Sequence, residues 1–331
     1  MQVIIPMAGF GKRLRPHTYT RPKPLINVAG TPVLGHVLNS FAELDISELL
    51  CITGHLGEQI EAYVRGHYDV PSRFFVQEEL NGQSPAVYLC KEVASGPALV
   101  VFVDTIIQAD LHQLAGETAD VVCHVKTVDD PRRFGVAETG PDGWVTRLVE
   151  KPDSMDNNLA LVGFYYVREA ADLMRAIETQ LARDLQTKGE YYLVDAFNIM
   201  IERGARMRAA MVDVWADCGK PETLLQTNRF LLDHGHDAGA QVDHETCAIA
   251  PPVHIHPSAK LERAVIGPYV SIGSECRIQD AIIKNSIIER GATIKNALLE
   301  GSLIGQYASV IEGFSSHNVG DSCSVGRTPS D

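Results

Sequence analysis

The stretch Gly9-Phe-Gly-Lys-Arg-Leu-Arg-Pro-His-Thr-Tyr-Thr-Arg-Pro-Lys-Pro-Leu25 holds the chain's densest set of groups able to bind an anion. Two glycines let a backbone turn tightly with its N–H groups exposed, and such groups bind phosphate oxygens. Five of the 29 Lys and Arg residues (Lys12, Arg13, Arg15, Arg21 and Lys23) fall here, in a chain of net charge -13. Prolines 16, 22 and 24 stiffen the loop. Stiffened cations beside a glycine turn call for an anionic partner. The glycine spacing is neither G-x-G-x-x-G nor G-x-x-x-x-G-K-[ST], so a dinucleotide oxidoreductase and a P-loop are both disfavoured.

This loop follows an apolar run at Met1–Pro6, which reads as a first strand leading straight into it. Through about residue 235, short β-branched runs alternate with amphipathic segments, the rhythm of a mostly parallel sheet covered by helices. Strands are predicted at Val3–Met7, Leu49–Thr53, Ala98–Val103 and Val121–Val125, and helices near Val33–Ala42, Glu58–Val64 and Ala86–Ala94. Closer spacing at Gly135–Glu138, Val145–Val149 and Leu161–Val167 predicts antiparallel additions, hence an α/β fold with a Rossmann-like mixed sheet.

After about Asp237 the helical periodicity stops. Ile255, Leu261, Ile266, Ile272, Ile278, Ile288, Ile294, Ile304 and Val310 fall in a rhythm of five or six, and Ala281–Ile288 aligns with Ala297–Ile304 further on. Such hexapeptide repeats predict a parallel β-helix of about four coils, with an antiparallel sandwich as the alternative. The expected division is a catalytic domain over 1–235, a linker over 236–252, the coil over 253–314 and a tail over 315–331.

Composition sets outer limits. With 45% hydrophobic and 21% charged residues, the 331-residue chain has the make-up of a folded globular protein. Its negative charge and lack of a basic run argue against polymeric nucleic acid. Seven scattered cysteines without a CxxC pair suit a reducing compartment, and no apolar run reaches about 18 residues. A soluble cytoplasmic protein with no membrane partner is expected.

The run Gly9–Leu25, with Val28-Ala-Gly-Thr-Pro32 after it, resembles the signature of the sugar-phosphate nucleotidylyltransferases. The likeness continues through Asp104, Phe134-Gly135-Val136, Glu150-Lys151-Pro152, Gly163, Glu190…Asp195 and Trp215-Ala-Asp217-x-Gly219, and so covers nearly all of the chain ahead of the repeats. It implies the reaction NTP + sugar 1-phosphate → NDP-sugar + pyrophosphate. It further implies that Arg13 and Lys23 act on the triphosphate, that Ala8, Gly9 and Gly11 line the nucleotide, and that Asp104 and Asp217 hold Mg²⁺. Gly135, Glu150, Lys151 and Gly163 would receive the sugar phosphate. Gln77, with Gly82 shortly after it, matches members that pair with a pyrimidine, so glucose 1-phosphate with dTTP or UTP is expected. The chain departs from the pattern at Lys12, at Val103 before Asp104, and at Gln83-Ser-Pro-Ala86 after Gly82.

The family often carries a left-handed β-helix behind the catalytic domain, and a homo-oligomer through it is expected. Three other readings stay open at this point: a GDP-mannose pyrophosphorylase-like enzyme; a bifunctional N-acetylglucosamine-1-phosphate uridylyltransferase/acetyltransferase using His254, His256 or His317, for which four coils are few; and a non-catalytic regulatory relative, which would tend to lose Arg13, Lys23 and the carboxylate pair.

Overall fold

The structure is a computed structural model, and it describes residues 1–238 and 246–313. The chain divides into two compact units at Phe230/Leu231. The expected tail, with His317, and much of the expected linker lie outside the described residues.

The first unit is built on a nine-stranded mixed sheet among the described residues. Its strands are β1 (Gln2–Pro6), β2 (Glu48–Thr53), β3 (Ser72–Val76), β4 (Ala98–Val101), β6 (Val121–Thr127), β7 (Gly135–Thr139), β8 (Val145–Glu150), β9 (Leu159–Val167) and β10 (Met207–Met211). A separate antiparallel pair joins β5 (Thr105–Gln108) to β11 (Val214–Asp217). The central order is β8-β7-β9-β4-β1-β2-β3, with β6 between β9 and β10. Strands β4, β1, β2 and β3 run parallel, while β9 is antiparallel to β4, β6 and β7. The crowded later strands thus form the antiparallel part that their spacing predicts.

Strand periodicity decides the core. Ile4 faces one side of the sheet with Leu50, Ile52 and Val100, whereas Val3 and Ile5 face the other with Leu49, Cys51 and Leu99. Helices α3 (Gln83–Tyr88), α4 (Ala170–Ala182) and α5 (Leu193–Glu202) cover the first face; α1 (Val33–Asn39) and α2 (Gly57–His67) cover the second. Helix α4 shows why it docks. The Glu169 side chain accepts from the Ala171 N–H as its cap, and Leu173, Ala176, Ile177 and Gln180 fall on one buried stripe.

Several boundaries differ from expectation. Helix α1 ends at Asn39, where the Ser40 hydroxyl turns back to Val37 O at 2.7 Å. Helix α3 starts early, at Gln83 and not Ala86, because Pro85 in its first turn supplies a preset φ, and it stops at Tyr88. The strand expected to reach Val103 ends at Val101, although Phe102 N–H still donates to Gly163 O of β9 at 2.9 Å.

In the second unit, short strands pair in parallel with partners one coil further on. Val253–Ile255 lies beside Val270–Ile272, and Arg277–Gln279 beside Thr293–Lys295. Four successive rungs stack at Ala248, Val265, Ile282 and Leu298, so the stack begins inside the expected linker. Repeat residues Ile255, Ile266, Ile272, Ile278, Ile288 and Ile294 are buried in its interior, while Leu261, Ile304 and Val310 are half-buried.

Candidate active site

The glycine loop folds as three short 3-10 turns, Lys12–Leu14, His17–Tyr19 and Lys23–Leu25. Gly11 adopts φ 62°, and its carbonyl accepts from Leu14 N–H and from the Thr18 hydroxyl, each at 2.9 Å. A Cβ on Gly11 would stand 3.0 Å from Lys23 Cβ. The missing side chain therefore lets the start of the loop press against Lys23 near its end, a closeness that the order of residues alone does not reveal.

Lys23 Nζ meets Asp104 Oδ2 at 3.1 Å. Asp104 sits in the turn between β4 and β5, at the carboxyl edge of the sheet, where open α/β folds seat ligands. Burial pushes the Asp104 carboxyl up, but the charge and hydrogen bond of Lys23, with the charge of Arg13, outweigh it and hold the group below its ordinary value. Asp217 ends β11, whose partner β5 begins directly after Asp104, and Cys218 N–H donates to Asp104 O at 2.9 Å. The two carboxylates therefore sit at the same end of one strand pair. A Cβ at Gly219 would stand 2.8 Å from Asp217 Oδ1 and 2.9 Å from Arg13 Nη2, so guanidinium and carboxylate converge over that glycine.

Arg13, Lys23 and Asp104 line a cavity of about 530 Å³ together with Ala8, Gly9, Gly11, Gln77 and Gly82, while Asp217 does not line it. Gln77 is buried; its Nε2 donates to Gly82 O at 3.1 Å, closing the segment 77–82 into a loop. Gly82 has φ 139° and pairs with Tyr191.

The expected sugar-phosphate residues form a neighbouring cluster and do not line this cavity. Gly135 and Glu150 are register partners, and a Cβ on Gly135 would meet Glu150 Oε2 at 3.0 Å. Lys151 follows with φ 46°, its Nζ 3.6 Å from Glu150 Oε1 and hydrogen-bonded to the Tyr192 hydroxyl. Burial raises the pKa of Glu150; for Lys151, burial lowers it, but the Tyr192 and Glu150 contacts win and the net shift is upward. Gly163, φ 78°, lies at a register shift of β9 against β6, and its missing side chain makes room for Phe102, which lines the cavity.

Sequence reasoning assigns no role to Phe102, Gln83 or Tyr192, which topology alone brings to the site. It also passes over Asn228, fully buried, whose Oδ1 takes the Ala29 N–H at 2.8 Å and so fixes the chain beyond the loop. No motif marks it.

A rigid cationic glycine loop facing two carboxylates at the carboxyl edge of a mixed α/β sheet defines an enzyme that handles phosphate esters. The family model for nucleotidyl transferases matches residues 2–234, and that for the GMPPB C-terminal domain matches residues 249–327. The chain belongs to the nucleotidyl transferase family, among its sugar-1-phosphate nucleotidyltransferases. It is 28% identical to the low-salt glycan biosynthesis nucleotidyltransferase Agl11 of Haloferax volcanii, covering 94% of both chains. It is 26% identical to a glucose-1-phosphate thymidylyltransferase of Streptomyces griseus, over 94% of this chain and 93% of that one. Among solved structures, a Bacillus anthracis protein assigned as a glucose-1-phosphate thymidylyltransferase superposes with a TM-score of 0.60 at 25% identity, covering 70% of this chain and 94% of the other.

The family generally uses a divalent metal. Among the described residues no group of three or more His, Cys, Asp and Glu side chains is arranged to hold a metal ion. Asp104 and Asp217 nonetheless offer the carboxylate oxygens that a hard, oxygen-seeking ion takes, at the same end of one strand pair, and Asp104 already draws the Lys23 ammonium.

No helix of the described residues is long and apolar enough to cross a membrane.

Proposed function

We propose that the chain joins a pyrimidine nucleoside triphosphate, dTTP or UTP, to glucose 1-phosphate, releasing pyrophosphate, with Mg²⁺ held by Asp104 and Asp217. One observation carries this reading: the Gln77–Gly82 loop shares a cavity with Arg13, Lys23 and Asp104. The Gln77 amide and the backbone at Gly82 suit a base, and the cations and glycine N–H groups that line the same cavity suit its triphosphate. The thymidylyltransferase match along nearly the whole chain supports the same pairing.

In the reaction a phosphate oxygen of the sugar phosphate forms a bond to the α-phosphorus as the bond to the β-phosphate oxygen breaks, and the electron pair leaves with pyrophosphate. Both partners are anions, so catalysis is mainly positioning and charge compensation. Arg13 neutralises the triphosphate, with the Gly9 and Gly11 backbone beside it. Lys23, held by Asp104 and by the close fit of Gly11, keeps its charge aimed into the cavity. Glu150 accepts from sugar hydroxyls and Lys151 binds the sugar's phosphate, while the missing side chains of Gly135 and Gly163 admit Glu150 and Phe102, so both glycines shape the sugar-phosphate site through those neighbours. Asp104 and Asp217 would hold Mg²⁺, which when bound would supply positive charge against the negative charge building on the leaving pyrophosphate.

We further propose that the catalytic domain ends near 235, with the coil starting at Ala248 and not at 253, that the parallel stack winds as a left-handed β-helix of hexapeptide repeats, that it joins copies of the chain, and that the enzyme works in the cytoplasm. The positive-φ corners at Arg263, Asp280 and Asn296, one per coil in stacked positions, support a regular winding.

The test is pyrophosphate release with Mg²⁺, crossing dTTP, UTP, GTP, CTP and ATP against glucose, N-acetylglucosamine, galactose and mannose 1-phosphates, with Asp104→Ala as the blank. Turnover with a pyrimidine triphosphate and glucose 1-phosphate, lost in the variant, is the expected result. A preference for GTP with mannose 1-phosphate would overturn the substrate assignment. Silence in every pair, from folded protein that binds nucleotide, would leave a regulatory relative.

A further inference from the structure

Lys151 ends in an ammonium on a flexible four-carbon stem, and such a group needs a seat to hold one position. Tyr192 supplies it. The Lys151 Nζ hydrogen-bonds the Tyr192 hydroxyl and stands 4.4 Å from the centre of its ring, with Glu150 Oε1 behind it at 3.6 Å. The ring itself is buried, and the Tyr192 carbonyl accepts from Nε2 of the fully buried Gln180 at 2.9 Å.

The backbone on either side is tied to the loop that borders the cavity. Tyr191 N–H donates to Asn81 O at 3.1 Å, and Tyr191 O accepts from Gln83 N–H at 2.9 Å and Ser84 N–H at 3.1 Å. Leu193 N–H donates to Gln83 Oε1 at 3.2 Å. Residues 191–193 thus form a strap between the wall of the cavity at Gly82 and Gln83 and the ammonium of Lys151. The Gln83 side chain that completes it belongs to the Gln83-Ser-Pro-Ala86 stretch where this chain departs from its family's pattern.

We propose that Tyr192 is the positioning residue for Lys151: its phenol oxygen takes one ammonium N–H, Glu150 draws a second, and the third is left to face the phosphate of the sugar 1-phosphate. This rests on the sugar-phosphate role of Lys151 proposed above. A single charge-assisted hydrogen bond sets the scale of the effect, which is about tenfold in affinity.

The experiment compares wild type, Tyr192→Phe, Lys151→Ala and the double variant by initial rates in each substrate. Phe keeps the ring that fills the site, and thermal melts check the fold of every variant. Tyr192→Phe is expected to raise KM for the sugar 1-phosphate about tenfold while KM for the triphosphate stays within about twofold. In the Lys151→Ala background the same change is expected to add nothing beyond about twofold, because a residue acting only through Lys151 has nothing left to position. Equal shifts in both KM values, a wild-type KM, or an additive loss in the double variant would each overturn the proposal while leaving the assigned reaction standing. Wild-type silence with every substrate pair would instead overturn the reaction, and this role with it.

Discussion

Gly82→Ala tests how the base-side wall of the cavity is held. Gly82 has φ 139°, and a Cβ there would stand 2.5 Å from Tyr191 O and 2.6 Å from Tyr191 N. Both obstacles are backbone, so no side-chain rotation relieves them. Two responses compete. Keeping the loop in place costs about 1–3 kcal/mol for the backbone conformation and a similar amount for the overlap. Releasing it breaks the three hydrogen bonds between Tyr191 and residues 81, 83 and 84, at about 1 kcal/mol each. The smaller cost wins, so the loop swings away at about 3 kcal/mol. Binding the base must then restore it at the difference between the two costs, about 1 kcal/mol at the middle of the range and about 3 at most, which lowers kcat/KM for the triphosphate about fivefold and by no more than about a hundredfold. The sheet does not depend on this loop, so the protein stays folded, with a fall in Tm of less than about 10 °C. Gly143→Ala is the control. Its φ is 82° and no heavy atom lies within 4 Å of the added carbon, so it should cost about 1 kcal/mol of stability and leave kinetics unchanged. A Gly82→Ala enzyme within about threefold of wild type in kcat/KM would refute the reasoning.

Asp104→Asn keeps the shape of the turn but removes the charge, and turnover should fall at least about a thousandfold in the pyrophosphate assay while circular dichroism is unchanged. Chelation of divalent ions should abolish wild-type turnover, with recovery on adding Mg²⁺. Asn228→Ala strands the buried Ala29 N–H and should lower the unfolding free energy by about 2 kcal/mol in urea titrations. His124, buried among apolar side chains with a hydrogen bond to Phe164 O, has its pKa lowered to about 4. The unfolded chain takes up this proton near pH 6.5 and the folded chain only near 4, so its stabilising contribution is present above 6.5 and lost as pH falls through that window. The loss totals about 3 kcal/mol, and His124→Asn should flatten the pH dependence of stability by that amount between 6.5 and 4.

The parts of the molecule legible in the sequence are those whose residues are contiguous or periodic. The loop from Gly9 to Leu25 declares itself because its glycines, cations and prolines lie within one short stretch. The parallel stack declares itself because each rung returns at a nearly constant spacing, one coil later. Strand β3 is harder to read. It sits at the sheet edge, its residues are half exposed, and Arg73 interrupts its apolar run. Helices α4 and α5 follow an ordinary helical stripe, but they lead into β10, whose partner β6 lies far earlier in the chain, a pairing that no local pattern encodes.

The site shows the same division more sharply. The roles proposed for Arg13, Lys23, Asp104, Glu150 and Lys151 come from motifs, because each motif is a local run of residues. What holds them in place cannot. Lys23 reaches Asp104 across 81 positions, and Lys151 reaches Tyr192 across 41. Gly11 and Gly219 matter for what their missing side chains admit, namely Lys23 in one case and Arg13 beside Asp217 in the other. In each instance the sequence names the group proposed to meet the anion, while the fold supplies the neighbour that fixes its charge. The supporting residue can therefore change type without any motif registering it, and Tyr192 is where that freedom is best tested: it lies inside the Glu190…Asp195 segment of family likeness, yet its contact to Lys151 comes from topology rather than from that likeness.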